Sequence, residues 1–206
     1  VKMSNKASDL RSPLKEFLSS VESARLANEP GIVIWEQSYL GHLNLRGDPS
    51  DIDFLKAVES VIGFTLPLKP NTIADNDQFT VFWLGPNEWL LITPPKLGKK
   101  IEGEMNRVFQ DIFASITDIS GGQTIITIGG DKARNVLAKG CTLDLHPNLF
   151  NSSQCAQTLV SKTNVIIRYS DSTASFDLIV RRSFADYLGA WLYDASLEYG
   201  ISTMDN

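Results

Sequence analysis

The sequence predicts an α+β fold, with two pseudo-repeated strand–helix–strand–strand–helix halves whose helices pack on antiparallel sheets. Three observations carry this reading. LNLRGDPSDIDFLKAVESVIGFTLPL at 43–68 and ITIGGDKARNVLAKGCTLDL at 126–145 share one order: a strand, Gly-Asp, a helix with a central Leu, a Gly stop and a Leu-x-Leu exit. Each stretch then runs through a pair of strands to a longer amphipathic helix. No low-complexity segment or linker divides the 206 residues. The expectation is a disordered 1–11 followed by a single domain over 12–206, with pseudo-repeats at about 32–113 and 115–200.

At the N-terminal end, Ser12 can cap a helix and Pro13 suits its first turn, while Leu14, Phe17, Leu18 and Val21 share a face. Residues 12–27 therefore read as a short amphipathic helix, stopped before Pro30-Gly31. GIVIWEQ at 31–37 reads as a buried strand. Leu43 and Leu45 then alternate with His42, Asn44 and Arg46, the period of a half-exposed strand. Residues 50–63 read as a helix with a Ser50-x-x-Asp53 capping box, an apolar stripe of Ile52, Leu55, Val58 and Ile62, and Gly63 as its stop. FTVFWLGPNEWLLIT at 79–93 reads as a hairpin in which Pro86 sets the turn and Asn87 tolerates the next position. Over 99–113, Ile101, Met105, Val108 and Ile112 fall four, three and four residues apart, which is helical.

The second half follows the same course. TIITIGG at 124–130 reads as a strand, and DKARNVLAKG as a short helix capped by Asp131 and stopped at Gly140. CAQTLV, NVIIRYS and SFDLIVR read as strands, the last with Phe176, Leu178 and Val180 on one face. Residues 183–200 read as a helix with a Ser183-x-x-Asp186 box, a Phe184, Leu188, Trp191, Leu192 and Ala195 stripe, and Gly200 as its stop. Trp35, Trp83, Trp89 and Trp191 read as core.

Composition narrows function. A net charge of −5 makes a surface that repels phosphate backbones, and the strongest basic cluster is the doublet Lys99-Lys100, so no nucleic-acid partner is expected. No run approaches the ~18 apolar residues of a membrane span, and residues 1–13 hold no apolar core of signal-peptide length. Cys141 and Cys155 are too few for a disulfide framework and have no metal spacing. The expectation is a cytoplasmic chain with no membrane association.

KGCTLDLHP at 139–147 gathers a cysteine, a carboxylate and one of the two histidines. Cys141 follows a helix C-terminus, whose negative end raises a thiol pKa, so a buried core residue is the better reading than a nucleophile. A zinc site of Cys141, His146 and Cys155 lacks a fourth ligand and the usual spacing. Asp144 reads as a loop carboxylate that accepts from backbone N–H groups. His42, pointing outward from its strand, reads as a surface histidine. TDISGG at 117–122 lacks the Lys-Ser/Thr ending and the following helix of a phosphate loop, and GGDKAR at 129–134 lacks dinucleotide spacing. Arg181 and Arg182 end a strand together, on a solvated edge or against a carboxylate of a partner or ligand. No catalytic triad, paired acid or metal cluster stands out, which favours a scaffold or subunit over an autonomous enzyme.

The motifs SGGQT, LAKGCTLDLHP, CAQT and FDLIVRRSFADYLGAWLYDA, with RSPL, LNLRG and LGPNEWLL before them, resemble the gamma-subunit family of heterotetrameric sarcosine oxidase over about residues 12–200. That family is a distant relative of the folate-binding aminomethyltransferase fold of the glycine-cleavage T-protein. The wider likeness rests on Gly130-Asp131, Leu137 and Thr142-Leu143-Asp144. The resemblance implies a T-protein-like fold and a complex that demethylates sarcosine to glycine and hydrogen peroxide, passing the one-carbon unit to tetrahydrofolate. It implies alpha, beta and delta partner subunits that carry FAD, FMN, NAD and the folate chemistry. This chain, with no cofactor, metal or catalytic residue of its own, would then pack chiefly on the large alpha subunit. His146, Arg181 and Arg182 are the partner-contact candidates. Two other readings remain: a stand-alone folate-binding or folate-dependent transferase, with Asp118, Asp144 or Asp177 pairing the pterin, and a generic interaction module.

Overall fold

Ser12 and Pro13 lead into helix α1, Lys15–Glu22, which lays Leu18 onto the core beside Leu14 just ahead of it. The structure, a computed structural model, describes residues 11–22 (backbone only for 20–22) and 30–204. Of the stretch 1–11 expected to be disordered only Arg11 is described, its carbonyl accepting from Arg182, and the reach of the first helix to 27 and the packing of Val21 lie outside the described residues. After α1 come β1 (Ile32–Gln37), β2 (Gly41–Arg46), α2 (Ile52–Ile62), β3 (Ile73–Asp75), β4 (Thr80–Gly85), β5 (Glu88–Thr93), α3 (Gly98–Val108) and β6 (Ser115–Asp118). The chain continues through β7 (Gln123–Gly129), α4 (Ala133–Ala138), β8 (Cys155–Val160), β9 (Thr163–Ser170), β10 (Ser175–Arg181), α5 (Ala185–Ser196) and β11 (Ile201–Thr203).

These strands form two sheets, one ordered β11-β1-β7-β10-β9-β8 and one ordered β3-β4-β5-β2-β6. Four layers result. α1, α4 and α5 bury Leu14, Val136, Leu137, Leu188 and Leu192 against the outer face of the six-stranded sheet. α2 and α3 bury Phe54, Val58, Ile101 and Met105 against the five-stranded sheet. The inner faces meet through a small cluster of Phe82, Leu90, Ile92, Ile125, Cys155 and Ile179. The pairing is antiparallel as expected, except that β11, unforeseen in the sequence, runs parallel to β1.

Connectivity crosses between the sheets. β1 pairs with β7, from Val33 opposite Gly129 to Gln37 opposite Ile125. β6 pairs with β2, from Leu43 opposite Asp118 to Arg46 opposite Ser115. Each sheet is thus completed by a strand from the other half of the chain. At the free edge of β6 the Asp118 N–H donates to Glu102 Oε1 from α3 at 3.0 Å.

Helix starts differ from the expected boxes. Asp51, not Ser50, caps α2: its Oδ1 accepts from the N–H groups of Asp53 at 2.9 Å and Phe54 at 3.3 Å. Ser50 instead bonds to Asp48. The buried stripe therefore runs Phe54, Val58, Ile62, and Ile52 is 64% exposed. Phe54 lies over Gly47, where an added Cβ would sit 2.4 Å from its ring. Gly63 ends α2 in the left-handed region at φ 83°, as expected. In α3 the stripe is Ile101, Met105 and Phe109, four apart throughout, and Val108 faces out. Asp131 pairs with Lys132 rather than capping α4, and a 3₁₀ turn at Arg182–Phe184 takes Ser183 out of the cap position of α5. Trp89 is fully buried and donates to the Pro67 carbonyl at 2.8 Å, while the other three tryptophans are half-buried.

The crossed strands predict that neither half is self-sufficient. Residues 1–113 and 114–206 made as separate polypeptides should each show no cooperative urea transition by circular dichroism, and mixing them in equal amounts should restore one.

Candidate functional site

The layer between the sheets is apolar only in its middle. Along the inward face of β10 stand Asp177, Ile179 and Arg181, and opposite them on β7 stand Thr127, Ile125 and Gln123. The isoleucines join the central cluster, and the polar residues mark its two ends. At one end Asp177, 2% exposed, takes Arg168 Nε on Oδ2 at 2.7 Å. Its Oδ1 takes Thr127 Oγ1 and Gln37 Nε2, each at 2.7 Å. Arg168 also lies 5.8 Å over the Phe82 ring and 3.8 Å from Asp75, so the network ties both sheets together.

At the other end the sheets part around a cleft of about 560 Å³. Leu84, Leu90, Ile166 and Ile179 line its apolar part, and Gln123 and Arg181 stand at its polar side. Gln157 Nε2 donates across it to the Leu84 carbonyl at 2.7 Å. Gln123 Oε1 is buried without a hydrogen-bond partner. Glu88, the acid of this cleft, is held by Arg46 at 2.8 Å and by Asn44 at 2.8 Å.

The other sequence candidates lie elsewhere. Asp118 accepts from both the N–H and the hydroxyl of Ser120, shaping the turn from β6 into β7, and TDISGG is that turn. Asp144 accepts the His146 N–H at 2.9 Å on an exposed loop, and His146 Nδ1 accepts from the Asn148 N–H at 3.2 Å. Arg134 pins this loop by donating to the Leu145 carbonyl while lying 4.5 Å over the Tyr169 ring. Asp144 and His146 thus share a shallow groove with Arg134, Lys139 and Tyr199, apart from Asp118 and Asp177. Arg181 is exposed at the cleft, and exposed Arg182 donates to the Arg11 carbonyl.

Cys141 packs in the helix-side core, and Cys155 lies in the inter-sheet cluster, where burial pushes its thiol up to about 11. Among the described residues no group of three His, Cys, Asp or Glu is placed to hold a metal, and no helix is long and apolar enough to cross a membrane.

His42 is not a surface residue. It is 1% exposed, because β2 lies between β5 and β6 and its second face lies under the other sheet. Its Nδ1 sits 3.1 Å from the Leu40 carbonyl and its Nε2 has no partner. Burial holds its pKa down at about 4, against weaker opposing pulls from Leu40 and Asp118. Arg168, Gln37, Gln123 and Gln157 were not anticipated. The signal for Arg168 was its place two residues from Ile166 in NVIIRYS, on the same strand face.

Residues 46–198 match the model of the sarcosine oxidase, gamma subunit family. The chain is 28% identical over 195 residues to sarcosine oxidase subunit gamma of Corynebacterium sp. strain U-96, covering 93% of this chain and 92% of that one. It is 26% identical over 195 residues to the corresponding Arthrobacter sp. protein, covering 94% and 93%. Among solved structures, a chain of heterotetrameric sarcosine oxidase from Corynebacterium sp. U-96, in complex with pyrrole 2-carboxylate, superposes with a TM-score of 0.83 at 25% identity, over 95% of this chain and 99% of that one. The glycine cleavage system aminomethyltransferase T from Bartonella henselae shares the fold at a TM-score of 0.62 and 14% identity, over 89% of this chain and 50% of that one.

Two outcomes are expected from this geometry. Asp177→Ala strands the Arg168 guanidinium inside and should cost roughly 3–5 kcal/mol in urea denaturation, and adding Arg168→Leu should recover part of that loss. His42 links stability to pH. Above about pH 6.5 it is neutral in both states, so it exacts no penalty. As the pH falls toward about 4 the unfolded chain takes up a proton that the folded chain refuses. Folding should weaken across that window by on the order of 3 kcal/mol, and His42→Leu should flatten the profile.

Proposed function

Since the chain belongs to the sarcosine oxidase gamma subunit family, we propose that it works as the gamma subunit of a heterotetrameric sarcosine oxidase, packing on the large alpha subunit with beta and delta completing the assembly. In this reading the complex demethylates sarcosine to glycine and hydrogen peroxide and passes the one-carbon unit to tetrahydrofolate. FAD, FMN, NAD and the folate chemistry sit on the other subunits, and this chain stabilises the assembly without a catalytic site of its own.

The observation that carries the proposal is the match along nearly the whole length of a chain of such a complex, 99% of it at a TM-score of 0.83. The carboxylates agree with it. Asp177 and Asp118 give their oxygens to hydrogen bonds that hold the fold, and Asp144 lies on an exposed loop, so none stands free in an apolar slot where a pterin would need it. Phe113, 99% exposed beside the hollow around Pro49 and Pro86, is the kind of apolar surface that a subunit covers. We place His146 among the partner contacts, on its exposed loop, and the whole assembly in the cytoplasm, where the two free, buried cysteines are at home.

Co-expression with the flavin-bearing subunits tests this. The chain should co-purify with them and, taken alone, should produce no sarcosine-dependent hydrogen peroxide. Phe113→Ser should loosen assembly while leaving the melting temperature of the free chain unchanged. A chain that stays monomeric beside those subunits would overturn the proposal.

A further inference from the structure

The two ends of the inter-sheet layer are built alike but finished differently. At one end the guanidinium of Arg168 meets the carboxylate of Asp177. At the other, four residues along the same face of β10, Arg181 stands opposite Gln123 with no carboxylate supplied. Lys162 lines the same cleft, and neither cation makes an ion pair among the described residues. Glu88, the acid of this cleft, is already paired with Arg46, which reaches its Oε1 together with Asn44. The cleft therefore carries an uncompensated positive charge beside an apolar floor.

Gln123 adds a second demand. Its Oε1 is buried and accepts nothing, although it borders a cleft of about 560 Å³, within the range of small-molecule sites. The Gln157 bridge to Leu84 fixes the separation of the two walls. We propose that this cleft binds a small carboxylate that also bears an N–H or O–H donor. The carboxylate lies against Arg181 and Lys162, taking the part that Asp177 plays for Arg168, and the donor meets Gln123 Oε1. The proposal goes beyond the subunit role and needs no partner chain, so the two stand or fall separately.

The test is nuclear magnetic resonance titration of the full ¹⁵N-labelled chain with three probes: N-acetylglycinate, with carboxylate and N–H; acetate, with carboxylate alone; and acetamide, with N–H donors but no carboxylate. N-acetylglycinate should give saturable shifts at the side chains of Arg181 and Gln123, acetate a weaker response and acetamide none. Arg181→Gln and Gln123→Leu should each weaken N-acetylglycinate binding by about tenfold. Because Lys162 is exposed, Lys162→Gln gives a second reading on the cation requirement should Arg181→Gln disturb the fold. Shifts that never saturate, equal responses to all three probes, or saturable binding indifferent to Arg181→Gln and Lys162→Gln would each overturn the assignment.

Discussion

The pairing of β1 with β7 and of β6 with β2 governs the rest of this architecture. A hairpin-rich half that kept all its strands would close its own sheet and bury its own helices. Here the chain leaves one sheet after β1, enters the other at β2, and crosses back between β6 and β7. The inner faces are thereby brought together by the backbone itself, and only a small apolar cluster is needed to hold them there. That frees both ends of the layer for polar residues, one end closed by Arg168 and Asp177 and the other open around Gln123 and Arg181.

The division of labour among the layers follows. The helix-facing sides of both sheets hold the large clusters, with Phe54, Trp89, Phe176 and many branched residues. The sheet-facing sides hold fewer apolar residues, and among them stand buried Asp177, its half-buried partner Arg168 and buried, neutral His42. Buried charges need partners, and Asp177 finds three. Such a layer fixes the mutual registry of the sheets more than it adds to their stability, as expected for an ion pair taken out of water. In the subunit role proposed above that registry matters, because the outer surface depends on how the two halves sit.

Much of the fold could be read from residue order. Gly63 announced the end of α2, and the alternation of Leu43 and Leu45 announced β2. What failed has identifiable causes. A capping residue is defined by which one leaves helical geometry, and Ser50, Asp51 and Asp53 all offer an oxygen, so sequence could not choose Asp51. β3, β6 and β11 have only three or four residues, too few for a period to show. His42 was correctly placed opposite Leu43 on its strand, yet alternation names two faces without saying whether the second meets water or another sheet. The candidate cleft was invisible for the same reason, since Gln123, Gln157 and Arg181 lie far apart in the chain and meet only through the crossed strands. The family motifs carried the functional reading because composition and spacing alone pointed to no one chemistry.

The hydrogen bond from the Asp118 N–H to Glu102 has an implication for how this chain behaves in a crowd. β6 is the outermost strand of its sheet, and an unmet row of amides there would invite a second copy to add itself as a further strand, then a third. A side-chain carboxylate seated on one of those amides breaks the row and sets a charge at its margin. The molecule so carries its own stopper against fibre-like stacking at the flank where its sheet would otherwise keep growing.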